Sequence, residues 1–445
     1  MKFMKKKLLV TTLALIMLMS VFLTGCGNSN KDGQSQNSQN VGTATKKAAS
    51  SNSSSNGKKT SVTFWTLSTR QGAVDPAVEE FNATNDKYEV KVSYYDTDGI
   101  KDALKVAASS GTLPNMWFNW GGSLGGFYAE NGSTYDLTQY AKDNGWSDKF
   151  TESSLSLSTY DGKLAGYPTS FNVIGVFYRK DIFEQYGIEI PTTFEEFEAA
   201  CATLKENGIT PISTAGLNGW HVMRFVELLI EYYAGADLHD SMNSFDESYN
   251  NDAVIKALTK YKEFVDKGYF PEGFITASPD ETHMAVFAGK AAMDIQGQWY
   301  DGSIIQNGQD VNNFGAFAFP SGGTNRLSAF VEMTQFKAGN TDEELDASIA
   351  FMDLLHSKKF TDTYGEYYNL PLPLKGAEMP AGQPNVPVLL DLGNTNGTFT
   401  ITDQAFPTEV ADALFNVQAA IATNEMTTEE GAAEIANAIE AYKNK

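Results

Sequence analysis

The chain is short of cysteine, histidine and positive charge. Its 445 residues include two cysteines, four histidines, and 33 lysines plus arginines against 55 aspartates plus glutamates. Cys26 and Cys201 give no disulfide framework, so stability has to come from buried cores, which this length permits. Cys201 closes the helical pattern Glu195–Cys201 and reads as a small core residue. The net charge of −22 repels nucleic acid and anionic lipid heads and suits a neutral or cationic ligand. No C-x-x-C, H-E-x-x-H, Walker A or dinucleotide fingerprint is present, so no cofactor and no metal is expected. Beyond residue 25 no apolar run reaches the roughly 20 residues that span a bilayer.

What is present begins with Lys2, Lys5, Lys6 and Lys7, followed by the apolar run Leu8–Leu23. This is the layout of an export leader. It ends in Leu23-Thr24-Gly25-Cys26, which resembles the bacterial lipobox. That resemblance implies cleavage after residue 25 and a lipid on Cys26. Losing the four leader lysines would take the net charge to −26. Residues 26–60 are Ser-, Asn-, Gln- and Lys-rich, too polar to offset their ordering entropy. They are expected to act as a disordered tether with a reach of about 30 Å.

The remaining chain alternates strand and helix patterns, which predicts an α/β fold with a mostly parallel sheet. Val62–Thr66, Tyr88–Tyr94 and Met116–Phe118 read as strands. Helices are expected from Pro76, over Ile100–Ala108, and from Phe127. Asp161-Gly162 signals a hairpin turn. Val173–Tyr178, Pro211–Ser213 and Ala291–Ile295 are further strands. Thr193 with Glu195 and Glu196 marks a helix start. Val222–Tyr233 and Ala347–Leu355 read as helices, and Val410–Tyr442 as two helices joined near Asn424–Thr428. In such sheets ligands sit beyond the carboxyl ends of the strands.

Two motifs point elsewhere. Gly121-Gly122-Ser123-Leu124-Gly125 fits the nucleophile elbow G-x-S-x-G, but none of His221, His239, His283 and His356 has a suggestive setting. Asp96-Thr97-Asp98-Gly99 begins like a calcium loop, yet lacks the glycine and glutamate at their required places.

Several landmarks together resemble the sugar-binding extracellular solute-binding proteins of ATP-driven importers, the family that includes maltose-binding protein. They are Ser109–Asn115, Asp161-Gly162-Lys163 with Tyr167-Pro168, Phe177–Asp181, Ile188–Glu196, Ala291-Ala292-Met293 with Gly297-Gln298-Trp299, and Met426–Glu430. The pattern is departed from at Asn115, where the family has Asp, and at Arg179, where it has Asn. The resemblance implies a two-lobed periplasmic-binding-protein type II fold with hinge strands. Lobe 1 would comprise 61–172 and 333–392, and lobe 2 would comprise 173–332 and 393–445. It implies a non-enzymatic, monomeric receptor on the outer face of the cytoplasmic membrane, anchored at Cys26. That receptor would capture a carbohydrate, in particular an oligosaccharide, for ABC permease subunits.

A sugar needs flat rings for its C–H faces and planar polar groups for its hydroxyls. Trp120, Trp220 and Trp299 lie at loop positions beyond strand ends and are the expected stacking residues, with Trp65 at the end of the first strand. Asn119, Asn172 and Glu332 are the expected polar contacts, the last two where the chain crosses between lobes. Asp96 and Asp294 are further candidates, while Trp117 and Trp146 read as core. The alternatives are the same fold holding a polyamine or peptide, and a surface hydrolase.

Overall fold

The computed structural model describes residues 59–445. The expected leader, Cys26 and nearly all of the tether lie outside the described residues. Among the described residues there are eleven strands: β1 (Thr60–Leu67), β2 (Tyr88–Tyr95), β3 (Met116–Trp120), β4 (Thr159–Tyr160), β5 (Lys163–Leu164), β6 (Gly166–Arg179), β7 (Thr210–Ser213), β8 (Ala291–Gly297), β9 (Phe314–Phe317), β10 (Leu327–Phe336) and β11 (Thr398–Thr400). Nine form one sheet in the order β2-β1-β3-β10-β6-β8-β7, with β9 beside β6 and β11 beside β10. The two remaining strands, β4 and β5, pair across Asp161-Gly162, both at positive φ, as a tight hairpin turn requires.

The two ends of the sheet are parallel and its middle is antiparallel. β1 pairs in parallel with β2 and β3, and β7 with β8. Between them β10 runs antiparallel to both β3 and β6. Met116–Phe336 to Trp120–Glu332 is the register on one side. Gly166–Gln335 to Ile174–Ser328 is the register on the other, with a shift between Glu332 and Met333. β6 then continues past β10 to pair with β8 and β9. β6 and β10 therefore run through both halves, and helices cover both faces.

Every residue of β3, β8 and β10 is buried, the pattern of strands covered on both sides. They nonetheless carry polar side chains, which must find partners inside. Asn119 Nδ2 donates to Gln335 Oε1 at 2.8 Å, and Trp117 Nε1 donates to the same oxygen at 3.2 Å. Glu332 Oε2 accepts from Arg70 Nη2 at 2.6 Å, Ser170 Oγ at 2.8 Å and Asn369 Nδ2 at 2.9 Å.

Three apolar clusters fill the fold. One gathers Val62, Phe64, Phe81, Trp146, Tyr167, Phe336 and Phe351. A second gathers Val173, Phe177, Tyr300, Phe314 and Leu389. The largest runs from Ile100, Trp117 and Trp120 through Phe225 to Val410 and Ile435, and takes in Cys201. Trp117, Trp146 and Cys201 are buried core residues. Helix starts follow local chemistry: Thr193 with Glu196, Ser278 with Glu281, Thr341 with Glu344 and Thr427 with Glu430 are reciprocal capping boxes. The first helix begins at Gln71, so Pro76 is inside it. Helix Gly122–Glu130 likewise begins before Phe127.

Arg70→Ala leaves the Glu332 carboxylate buried without its cation. It should lower the unfolding free energy by about 3 kcal/mol, read from denaturant midpoints at constant m-value.

Candidate functional site

A small cavity lies where helix Thr97–Ser110, the end of β3, the start of helix Trp220–Asn243 and the segment after β11 converge. Its volume is about 50 Å³ and it is lined by Lys101, Trp120, Trp220, Arg224, Phe330 and Asp403, among others. It shares Lys101, Leu124, Trp220 and Asp403 with a wider groove of about 550 Å³. That groove adds Asp98, Asp102, Lys105, Asn218, Asp412 and Phe415.

Arg224 organises the inner cavity. Its guanidinium lies 4.7 Å from the Trp220 ring centre and 5.2 Å from that of Trp299, a cation held against two indoles. Nη1 donates to the carbonyl of Ile295 at 3.1 Å and to Gln296 Oε1 at 2.9 Å. Buried Nε has no partner among the described residues. Burial draws the Arg224 pKa down to about 10, against the pull of Asp294, Asp403 and Glu227, so it stays charged at neutral pH. On the same wall buried Asp403 Oδ1 also has no partner. Burial raises the Asp403 carboxyl, while Lys101 and Arg224 draw it down. Lys101 Nζ sits 5.0 Å from the Trp120 ring. A cavity lined by a guanidinium, an ammonium, a carboxylate and flat rings suits a ligand that can accept and donate hydrogen bonds at once.

Trp120 and Trp220 thus line one cavity. Trp299 borders it through Arg224 and Phe330, whose ring centre is 5.7 Å away, and its Nε1 donates to Gln296 Oε1 at 3.0 Å. The structure does not bring the other four expected residues to this cavity. Trp65 packs on Tyr95 at 5.1 Å. Asn119 and Glu332 sit in the strand networks described above. Asn172 is fully buried on β6, donates to Ser170 Oγ at 2.9 Å, and leaves Oδ1 without a partner. Asp96 caps helix Thr97–Ser110 through the Gly99 N–H. Arg224, Lys101, Asp403 and Phe330 were not anticipated. A trace of Arg224 exists in the sequence: Arg224, Glu227 and Glu231 fall three and four residues apart in the otherwise apolar stretch Val222–Tyr233, the spacing of a buried polar stripe.

Beneath the cavity, His221 Nε2 lies 2.9 Å from Asp294 Oδ1. Ligand atoms of His221, His283 and Asp294 come within 4.8 Å of one another. The Gln296 amide nitrogen occupies that space, 2.7 Å from His283 Nε2 and 3.1 Å from Asp294 Oδ1. Its orientation is set, because Oε1 already accepts from Arg224 and Trp299. A metal would have to displace this amide beside a guanidinium, so the residues do not fit an ion. Ser123 does not fit a nucleophile either. Its Oγ faces the Asp403 carbonyl at 3.4 Å, and the histidines bond to Asp294, Glu231, Gln296 and the Met352 carbonyl.

A sequence profile of bacterial extracellular solute-binding proteins matches residues 76–385. The chain belongs to that family. Among relatives of this solute-binding protein is the multiple sugar-binding protein of Streptococcus mutans, 24% identical over 326 residues, which span 70% of this chain and 74% of that one. An uncharacterised ABC transporter extracellular-binding protein of Pyrococcus horikoshii is 29% identical over 150 residues, only 33% and 34% of the two chains. Among solved structures, a chitin oligosaccharide binding protein superposes with a TM-score of 0.80 at 23% identity, covering 87% of this chain and all of that one. The likeness establishes the two-lobed α/β fold. The family's members are solute receptors working outside the cytoplasm. Among the described residues no helix is long and apolar enough to cross a membrane.

Glu227 holds one wall of the site in place. Its Oε2 accepts from the Thr402 N–H and hydroxyl, both at 2.9 Å, and so fixes the turn that carries Asp403 and Gln404. Burial pushes its pKa from 4.5 to about 8, against those bonds. The folded state therefore binds this proton more tightly than the unfolded state, and stability falls as pH rises from about 4.5 to 8. Glu227→Gln keeps the acceptor and removes the titration. Thermal melts should show the variant level with the parent near pH 5 and more stable by a few kcal/mol near pH 8.

Proposed function

We propose that this protein is a lipid-anchored receptor that captures a carbohydrate, in particular an oligosaccharide, between two lobes and delivers it to the membrane subunits of an ABC importer. One observation carries the ligand class. Trp120, Trp220 and Phe330 line one cavity together with the guanidinium-bearing Arg224 and the carboxylate-bearing Asp403, and sugar hydroxyls can pair with such charged groups while C–H faces stack on the rings. The wider groove leaves room for further sugar units. The likeness to proteins called multiple sugar-binding and chitin oligosaccharide binding supports the same reading.

In this reading lobe 1 is built from 61–172 and the segment after Met333, and lobe 2 from 173–332 and the C-terminal helices. Leu389 packs with Val173 and Tyr300, which supports drawing the third crossing before helix Asn385–Asn396 rather than at 392. Anchoring at Cys26, a tether over 26–60, a monomeric state and the absence of turnover complete the proposal. The second reading, a polyamine or cationic peptide, draws support from Asp98, Asp102, Asp403 and Asp412 around the groove.

Thermal unfolding of residues 59–445 against mono- and oligosaccharides, polyamines, peptides and amino acids tests the reading. Binding to the folded state adds about 2.7 kcal/mol at a hundredfold excess over Kd. A glycan should raise Tm and be recovered intact, and Trp220→Ala should weaken its binding by about 2 kcal/mol, roughly thirtyfold. A response to polyamines alone would replace the sugar. A cleaved glycan would make the protein an enzyme.

A further inference from the structure

Among the contacts that join the proposed lobes, two lie close beside the inner cavity. At the mouth, Asp98 Oδ2 accepts from Asn218 Nδ2 at 2.5 Å and from Trp220 Nε1 at 3.4 Å. Its other oxygen pairs with Lys101 Nζ at 3.3 Å. Asp98 stands in the first turn of helix Thr97–Ser110, where the helix dipole favours a carboxylate. One side chain thus fixes two residues that line the cavity, Lys101 on its own helix and Trp220 across the cleft.

On the far side the contact is backbone against backbone. Gly122 has φ +57°, and a Cβ added there would lie 2.2 Å from the Gln404 carbonyl oxygen and 2.6 Å from Gln404 Cβ. Ser123 Oγ meets the Asp403 carbonyl at 3.4 Å. Only glycine permits both that dihedral and that approach. Its partner is the turn that Glu227 holds and that supplies Asp403 and Gln404 to the cavity. The G-x-S-x-G motif therefore serves as a seat for the opposite lobe.

Resting on the two-lobed receptor reading, we propose that Asp98 and Gly122, neither of which lines the inner cavity, form a two-point clasp that sets ligand affinity by stabilising the closed cleft. Closure shifts with any contact that exists only in the closed state. Removing such a contact slows nothing on the way in and speeds the way out. Gly122 and Ser123 line neither cavity nor groove, whereas Asp98 and Asn218 line the groove, so the two sites make independent tests.

The experiment measures association and dissociation rates, small-angle scattering with saturating ligand, and ligand-free melting for the parent, Asp98→Ala, Asn218→Ala, their double variant and Gly122→Ala. The ligand is whichever solute raises the parent's Tm. Asp98→Ala and Asn218→Ala should each raise the dissociation rate about tenfold, the usual scale for a charged hydrogen bond. The double variant should be little worse than either, with association unchanged and the ligand-free Tm lowered no further than in Asp98→Ala, which loses its first-turn carboxylate in either state. Gly122→Ala should weaken binding at least as much and leave the saturated protein with a larger radius of gyration than the parent. Parent-like dissociation rates in Asn218→Ala and Gly122→Ala would overturn the clasp, as would additive losses tracking a lower ligand-free Tm. The clasp uses no sugar chemistry. A parent that binds only polyamines or peptides therefore overturns the sugar and leaves the clasp to be read with that ligand.

Discussion

The antiparallel pairing of β10 with β6 is the constraint on which the rest depends. These two strands are the only ones, among the described residues, that run through both parallel halves of the sheet. Their register places Glu332 opposite Ser170 and Trp120, so Glu332 meets its Arg70, Ser170 and Asn369 partners at the centre. The shift between Glu332 and Met333 falls at the same point. An irregularity there bends the strand locally. The cavity residues sit at the margins of this pair: Phe330 on β10 itself, Trp120 at the end of its neighbour, and Trp220 and Trp299 on the helix starts that follow β7 and β8.

Much of this was legible in order and class. The alternating strands and helices, the Asp-Gly hairpin, the Thr193 cap and the two C-terminal helices all lie where local chemistry put them. Boundaries were harder where glycine or proline masks a helix. The glycine-rich run from Gly121 puts the expected helix start at Phe127, yet helix Gly122–Glu130 begins earlier, with Gly122 at φ +57° against Gln404. Pro76 reads as a first-turn residue but stands sixth in its helix.

The site was legible through its rings and opaque through its charges. An indole after a strand end announces itself, and Trp120 and Trp220 do share a cavity. Arg224 hides in an apolar helix and Lys101 in an amphipathic one, and their meeting is a matter of tertiary geometry. Asn119 and Glu332 show the converse. Their positions, beside Trp120 and at an expected crossing respectively, suggested ligand contact, but a buried strand must satisfy its own polar groups first, and Gln335 and Arg70 do so. Trp299 falls between: one face braces Arg224, so what it offers a ligand passes partly through that cation.

The place of β10 in the sheet also bears on the order in which the chain can fold as it is made. β3, β10 and β6 are neighbours, yet β10 ends at Phe336, about three quarters of the way along the 445 residues. Neither half can complete its middle until that strand has been synthesised, and pairings this distant in sequence form slowly. For a chain bound across a membrane, late closure keeps the polypeptide threadable. With Cys201 buried as the one cysteine among the described residues, assembly on the far side waits on no oxidant.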